Sequence, residues 1–228
     1  MLLLRLSGHS GAGKSRLIAA LPHYGISCPR AVLYTSRDMR KGENDGTDYH
    51  FRSREIIDAL PRNKFFVGQV REMLQAINLE QLVDDLKGND LVLIEIFDKL
   101  WPEVENAIVS RMGQKLRTAS VFMTAVDPDH LNSLPDRRTR AAYVEDEVKK
   151  ILDWRHKDEP EKIKSKAESA PDEVLAAIEP NAPYMKVFHS SPEGPDGQDN
   201  WTRYDEPDGR AAQVLKEFIE FVNVGSGS

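Results

Sequence analysis

The sequence predicts an α/β fold, a mostly parallel sheet flanked by helices, with an inserted segment and a helical lid. Three observations predict it. Short apolar runs alternate with helical patterns along most of the 228 residues, which is the pattern of βαβ units. Runs such as Leu91–Ile96 are apolar at nearly every position, as strands covered by helices on both faces must be. Directly behind the first apolar run stands a glycine-rich turn ending in Lys14-Ser15, the join of a strand to a helix.

The expected strands are Leu2–Leu6, Ala31–Tyr34, Phe65–Val67, Leu91–Ile96, Ser120–Val126 and Tyr184–His189. Helical patterns fall at roughly 14–22, 53–60, 79–87, 101–113, 139–157, 161–178 and 208–223. No internal repeat is visible. Residues 127–179 are dense in charge and poor in large apolar side chains, so they read as a solvated, mobile helical flap with little core. Residues 190–210 are rich in Ser, Pro, Gly and Asp, which is loop chemistry. Within them Trp201-Thr202-Arg203-Tyr204 reads as a short strand or an aromatic anchor. Residues 224–228 end in Gly-Ser repeats and read as a flexible tail.

Composition excludes several classes. With 31 basic and 37 acidic residues the formal charge is −6, which argues against general nucleic-acid binding. No stretch approaches the ~20 apolar residues of a membrane span. Met1–Leu6 is too short for a secretory signal and reads as a strand. Cys28 is the only cysteine, so an internal disulfide is impossible and a reducing cytoplasm fits. No His/Cys/Asp cluster has metal-ligand spacing, and no Ser-His-Asp arrangement can be read. His9, Trp101 and Trp154 read as a tolerated loop residue and two packing residues. His189 reads as a strand-end residue, with the edge of a nucleotide-base pocket as the alternative.

Gly8–Ser15 reads G-H-S-G-A-G-K-S. The spacing G-x-x-x-x-G-K-S lets the backbone N–H groups of Gly8, Ser10, Gly11, Ala12, Gly13, Lys14 and Ser15 curl round a phosphate. The Lys14 ammonium can reach the outer phosphates, and the Ser15 hydroxyl can hold Mg²⁺. The helix that follows turns its positive end to the same anion. This spacing implies nucleotide binding without separating kinase from hydrolase or switch.

Residues 35–51 read T-S-R-D-M-R-K-G-E-N-D-G-T-D-Y-H-F. Two guanidinium forks and a phenol in one short loop suit an anionic phosphate acceptor. This segment closely resembles the guanylate kinase family, whose stretch runs T-T-R-x-P-R-x-G-E-x-D-G-x-D-Y-x-F. Thr35, Arg37, Arg40, Gly42, Glu43, Asp45, Gly46, Asp48, Tyr49 and Phe51 match, at the family's distance from the glycine-rich loop. The likeness is clear over residues 1–51 and looser beyond.

The resemblance implies one P-loop kinase domain over 1–223. Its core would be 1–34, 79–126 and 180–223, its acceptor-binding segment 35–78 and its lid 127–179. It implies ATP and Mg²⁺ as cofactors and phosphoryl transfer to a nucleoside monophosphate, with GMP or dGMP the first candidates. Lys14 would stabilise the transferred phosphoryl group, and Ser15 would ligate the metal. Thr35, Arg37, Arg40 and Tyr49 would bind the acceptor, with Gln69 and Glu95 nearer its base. Arg137, Arg138 and Arg140 of the lid would add cationic charge in catalysis, with Lys164 and Lys166 on a second lid helix. The partner would be a small phosphorylated molecule, with no membrane.

Departures cluster on the acceptor base. Leu33 stands where the family has Ser. Phe65-Phe66-Val67-Gly68-Gln69 replaces a Phe-x-Glu-Trp pattern whose acid reads guanine. Glu72-Met73-Leu74-Gln75-Ala76 replaces Tyr-Gly-Thr/Ser, and Phe97 replaces the second acid of Glu-Ile-Asp, with Asp98 one step later. Without its polar readers a base site loses its discrimination. Either the acceptor is a different phosphorylated molecule, read by Gln69, Arg71, Glu72 or Gln75, or the correspondence shifts after residue 51. Two further functions therefore stay open: a kinase of an altered nucleotide or sugar phosphate, and a nucleotide-binding module without catalysis.

Overall fold

The computed structural model describes residues 1–40, 42–70, 72–155, 160–190, 204–207 and 209–226. The chain gathers into two compact units, Met1–Arg5 with Ser27–Ala119, and Leu6–Ile26 with Ser120–Ser228.

In the first unit, β1 (Leu2–Gly8) begins as a fully buried apolar run and pairs parallel with β6 (Leu91–Ile94), Leu2 opposite Leu91 and Arg5 opposite Ile94. Leu3, Val92 and Ile94 form a core with Leu79, Leu82 and Leu86 of α3 (Leu79–Gly88) and Trp101, Val104 and Ile108 of α4 (Trp101–Met112). These helical residues recur every three or four positions, which gives each helix one buried stripe. Asn78 starts α3 by accepting from the backbone N–H groups of Glu80 and Gln81, at 3.0 and 3.1 Å.

The first unit also carries a second sheet, ordered β3-β2-β5-β4. Its strands are β2 (Tyr34–Thr35), β3 (His50–Phe51), β4 (Phe65–Val70) and β5 (Met73–Asn78). β2 and β3 are parallel, whereas β5 runs antiparallel to both β2 and β4. The sequence showed only part of this. β5 went unpredicted, β4 runs on to Val70, and the strand expected at Ala31–Tyr34 narrows to Tyr34–Thr35. Leu74, Ala76 and Val67 on one face of this sheet pack on Ile57 of α2 (Arg54–Asp58).

In the second unit β7 (Arg117–Thr124) pairs parallel with β8 (Lys186–His189), Val121 opposite Lys186. After the loop, α1 spans Lys14–Ala20. Asp127 caps α5 (Pro128–Ser133), a short helix the sequence reading missed, with Pro128 at its first position. α6 (Arg137–Arg155) and α7 (Pro160–Ile178) follow, and α8 runs from Gly209 to Ser226, past residue 224.

The charged stretch is helical as expected, but it does bury a core. Val144, Val148 and Leu152 of α6 pack with Ile163, Ala170, Val174 and Ala177 of α7 and with Phe122, Val126 and Leu131. Residues three and four apart share a helix face, so small and β-branched side chains make a narrow seam beneath a charged exterior. Trp201-Thr202-Arg203 and Arg71 lie outside the described residues.

Candidate functional site

The glycine-rich loop is built at the end of β1. Gly8 has φ 145°, and a Cβ there would lie 2.3 Å from the Met123 carbonyl oxygen, so no side chain fits at that crossing. The Lys14 ammonium donates to the carbonyls of Gly8 at 2.6 Å and His9 at 3.2 Å. The His9 carbonyl also accepts from the Ala12 N–H at 3.3 Å, while those of Arg16 and Leu17 return to Gly13. The loop thereby curls on itself and seats the Lys14 ammonium on two of its own carbonyls. Ser15 is exposed and Ala12 buried. Ile151 of α6 packs against Gly11.

His9 is buried, at 1 % exposure. Its Nδ1 lies 2.8 Å from the Ser10 carbonyl oxygen, and its Nε2 accepts from the Ala125 N–H at 3.0 Å. A backbone N–H only donates, so Nε2 is bare and the ring proton sits on Nδ1. Burial lowers its pKa to about 4, with the Lys14 charge adding to the effect against the opposing Ser10 bond.

The segment after β2 is stapled by its own acids. Glu43 takes the Arg37 guanidinium in a two-point grip at 2.6 and 2.7 Å and accepts the Arg40 N–H at 2.8 Å. Hydrogen bonding from Arg37 holds the Glu43 carboxyl below its ordinary range, against a smaller opposing effect of burial. The Arg37 guanidinium also stands over the rings of Tyr49 and Phe51, 4.9 and 5.2 Å from their centres. Asp45 accepts from the Phe51 N–H at 2.8 Å and from Arg52. Asp48 accepts from the Asn44 N–H at 2.8 Å. Burial raises the Tyr49 phenol, and the Glu95 charge adds to it. Arg30 donates to Glu95 at 3.2 Å and to the Thr47 carbonyl at 2.8 Å, tying the end of β6 to this loop. Arg40 is exposed, and its charge adds to that of Arg37 in lowering the Glu43 carboxyl.

Strand register sets a row of four residues across the second sheet. Phe51 faces Thr35, Thr35 faces Gln75, and Gln75 faces Gly68. Residues directly opposite share a face, so these four line one side, with Arg37 over Phe51 at one end and its N–H 3.4 Å from the Thr35 hydroxyl. At the other end a Cβ on Gly68 would lie 2.5 Å from Leu100 Cδ2, so Leu100 fills the space a side chain there would need. Gln75 is 4 % exposed, and its Oε1 has no hydrogen-bond partner among the described residues.

The structure thus gathers Thr35, Arg37 and Tyr49 in one place, with Glu95 joined to that loop through Arg30. Gln69 is elsewhere. It shares the opposite face of β4 with Val67, and its Oε1 accepts from Arg54 of α2 at 3.1 Å. Asp98, one step after the exposed Phe97, accepts from the buried Arg5 at 3.1 Å. Of the lid arginines, Arg137 pairs with Glu179 at 3.2 Å and Asp172 at 3.6 Å. Arg140 donates to the Leu134 and Asn132 carbonyls, closing the end of α5. Arg138 is exposed. Lys164 lies 3.9 Å from Glu168. His189 sits at the end of β8, where its Nδ1 and carbonyl both accept from Arg210. Burial lowers its pKa, and Arg210 lowers it further. Trp101 packs in the core as expected, whereas Trp154, expected to pack, is exposed at 39 %.

A parallel sheet whose first strand ends in this lysine-bearing glycine loop defines a P-loop phosphate-binding protein. A family model described as guanylate kinase matches residues 1–97. A guanylate kinase of Pseudomonas fluorescens is 36 % identical over 150 residues, 63 % of this chain and 66 % of its own length. One of Sulfurimonas denitrificans is 30 % identical over 156 residues, 66 % of this chain and 70 % of its own. The chain therefore matches about two thirds of the length of these relatives. A crystal structure of guanylate kinase from Anaplasma phagocytophilum shares the fold, with TM-score 0.52 and 16 % identity over 100 % of this chain and 87 % of that one. The chain belongs to the guanylate kinase family.

Two buried polar residues are hard to place from sequence. His9 reads as a tolerated loop residue, because its partner Ala125 is 116 residues away. Gln75 was one of four candidates. Its signal was a lone amide inside the apolar run Met73–Asn78, which marks a polar group pointed at a buried face.

Proposed function

We propose that the protein transfers the γ-phosphoryl group of ATP to a nucleoside monophosphate, with GMP or dGMP the first acceptors to test. One observation carries the reading: the chain holds both a phosphate loop with its lysine in place and a separate arginine–tyrosine set on the motif of this family. Phosphoryl transfer needs two anions aligned and the charge between them neutralised. Lys14 takes the charge that develops on the transferred group. Arg40, which is exposed, and Arg37 take the acceptor phosphate, with Tyr49 donating its phenolic proton. Thr35 and Glu95 shape the acceptor side, and Gln69 supports it only through Arg54. Arg138 is the lid cation with the most freedom to reach phosphate, whereas Arg137 and Arg140 must first leave their present partners.

The exposed Ser15 hydroxyl is a hard oxygen ligand suited to Mg²⁺. Among the described residues no group of three or more His, Cys, Asp or Glu could hold a metal, so the ion would come with the nucleotide and neutralise phosphate charge. No helix of the described residues is long and apolar enough to cross a membrane, and a cytoplasmic site of action agrees with this.

A second reading has its own support. The row Phe51, Thr35, Gln75 and Gly68 carries no carboxylate, the group that reads guanine in this family, which favours an acceptor other than a guanine nucleotide. A coupled assay for ADP release across nucleoside and sugar monophosphates tests both. Stimulation by GMP or dGMP supports the first, and stimulation by another monophosphate alone supports the second. ATP binding with no stimulation by any of them would sink both.

A further inference from the structure

We propose that His9 is a positioning residue of the donor loop, its neutral imidazole bolting the loop to the chain just after β7 so that Lys14 is held in its working place. The inference rests on the reading of this loop as the ATP site.

The geometry is a short chain of bonds within the second unit. The Ala125 N–H donates to His9 Nε2 at 3.0 Å. The Thr124 hydroxyl stands 3.3 Å from the same nitrogen. On the other side of the ring, Nδ1–H donates to the Ser10 carbonyl at 2.8 Å. The His9 side chain therefore fixes its own peptide unit from both directions. That unit carries the His9 carbonyl, which accepts from Lys14 at 3.2 Å, and it adjoins the Gly8 carbonyl, which accepts from Lys14 at 2.6 Å. Moving the ring moves both oxygens that hold the ammonium.

Only a ring that accepts at one edge and donates at the other makes both bonds. Phenylalanine would fill the space and make neither. Glutamine can offer an oxygen near the position of Nε2 and keep the bond from Ala125. Asparagine can reach Ser10 but not Ala125. Protonation would place a proton on Nε2 against the Ala125 N–H, and burial opposes it by lowering the pKa to about 4. The ring therefore stays in its accepting form at neutral pH.

The test is calorimetric titration of Mg·ADP into the full chain and its variants, with KM for ATP and for GMP measured alongside. His9→Phe is expected to raise the dissociation constant for Mg·ADP and KM for ATP by about tenfold, the worth of one to two lost hydrogen bonds. KM for GMP should stay within about twofold, and His9→Gln should recover most of the nucleotide affinity. A folded His9→Phe chain with unchanged Mg·ADP affinity overturns the proposal, as does an equal rise in both KM values. If the phenylalanine variant does not fold, the comparison moves to His9→Gln and His9→Asn, where equal affinities overturn it. Lys14→Ala separates the two levels of argument. If that variant binds Mg·ADP like the parent, the ATP-site reading itself fails. If it binds weakly while His9→Phe binds normally, only the role of His9 fails.

Discussion

The donor loop and the acceptor sheet are finished to different degrees. In the donor loop the buried imidazole is bonded on both sides and the lysine is seated on two carbonyls. In the acceptor sheet Arg37 is already paired with Glu43, and the buried amide of Gln75 has an unbonded oxygen. A buried polar atom without a partner costs roughly 1–3 kcal/mol. On the proposed reading the donor half is preformed, and a ligand of the acceptor half would replace Glu43 on Arg37 or bind beside it through Arg40.

The largest expected effect breaks the donor side. Lys14→Ala should lower kcat by ~10³-fold, the scale of losing one preorganised charge contact in a transition state, with the thermal melt little changed. Transfer at near-parental rate would show that the loop holds phosphate without acting on it. Next, Arg40→Ala should raise the acceptor KM and lower kcat by about 10–100-fold in kcat/KM, the worth of a charge-assisted bond. ATP affinity should not change. If both parameters match the parent, the loop of residues 37–49 does not bind the acceptor.

Acid should separate the two regions by stability. The His9 pKa lies near 4 in the folded chain against the ordinary 6.5. Between these values the unfolded chain binds a proton that the folded chain refuses. Stability therefore falls as pH drops from 6.5 toward 4, by up to about 1.4 kcal/mol per pH unit, and is flat above that window. His189, lowered by burial, contributes with the same sign, so the effect of His9 is the difference between the parent and His9→Phe. Glu43 acts in a lower window. Its folded pKa lies below the ordinary 4.5, so its contribution is complete above that value and is lost as pH falls through the lowered one. Chemical denaturation at pH 7, 5.5 and 4.5 checks this, and parallel curves for parent and His9→Phe would contradict a buried neutral ring.

How much of this was legible follows from range. The glycine loop and the Thr35–Phe51 motif are local patterns, and the acids that staple the second lie within seven residues of their partners, as Asp45 does to Arg52. β6 was readable because burial on both faces leaves it no polar position, and β1 from its opening run Leu2–Leu4. β5 was not readable. Residues 71–72, between β4 and β5, are Arg-Glu, with none of the Gly, Pro or Asn that mark a tight turn. With that strand missed, the pairing of Gln75 with Gly68 and Thr35 was invisible, and Gln69 was chosen from the opposite face. The seam of α6 and α7 was present as spacings of three and four from Val144 to Ile151 and from Ile163 to Ala177. Charge density concealed it.

The smallest expected effect sharpens the comparison most. If the unbonded amide of Gln75 exists for a ligand, it should cost stability and support function at once. Gln75→Leu keeps the approximate volume and removes the unmet polar atom, so it should stabilise the free chain by about 1 kcal/mol. The same change should raise the acceptor KM while leaving Mg·ADP affinity as it was, because the amide is on the acceptor sheet and not in the donor loop. His9→Phe should do the reverse on both counts, losing stability and donor affinity together. A destabilised Gln75→Leu chain would mean the amide has a structural bond, and an unchanged acceptor KM would remove Gln75 from the acceptor face as a reader.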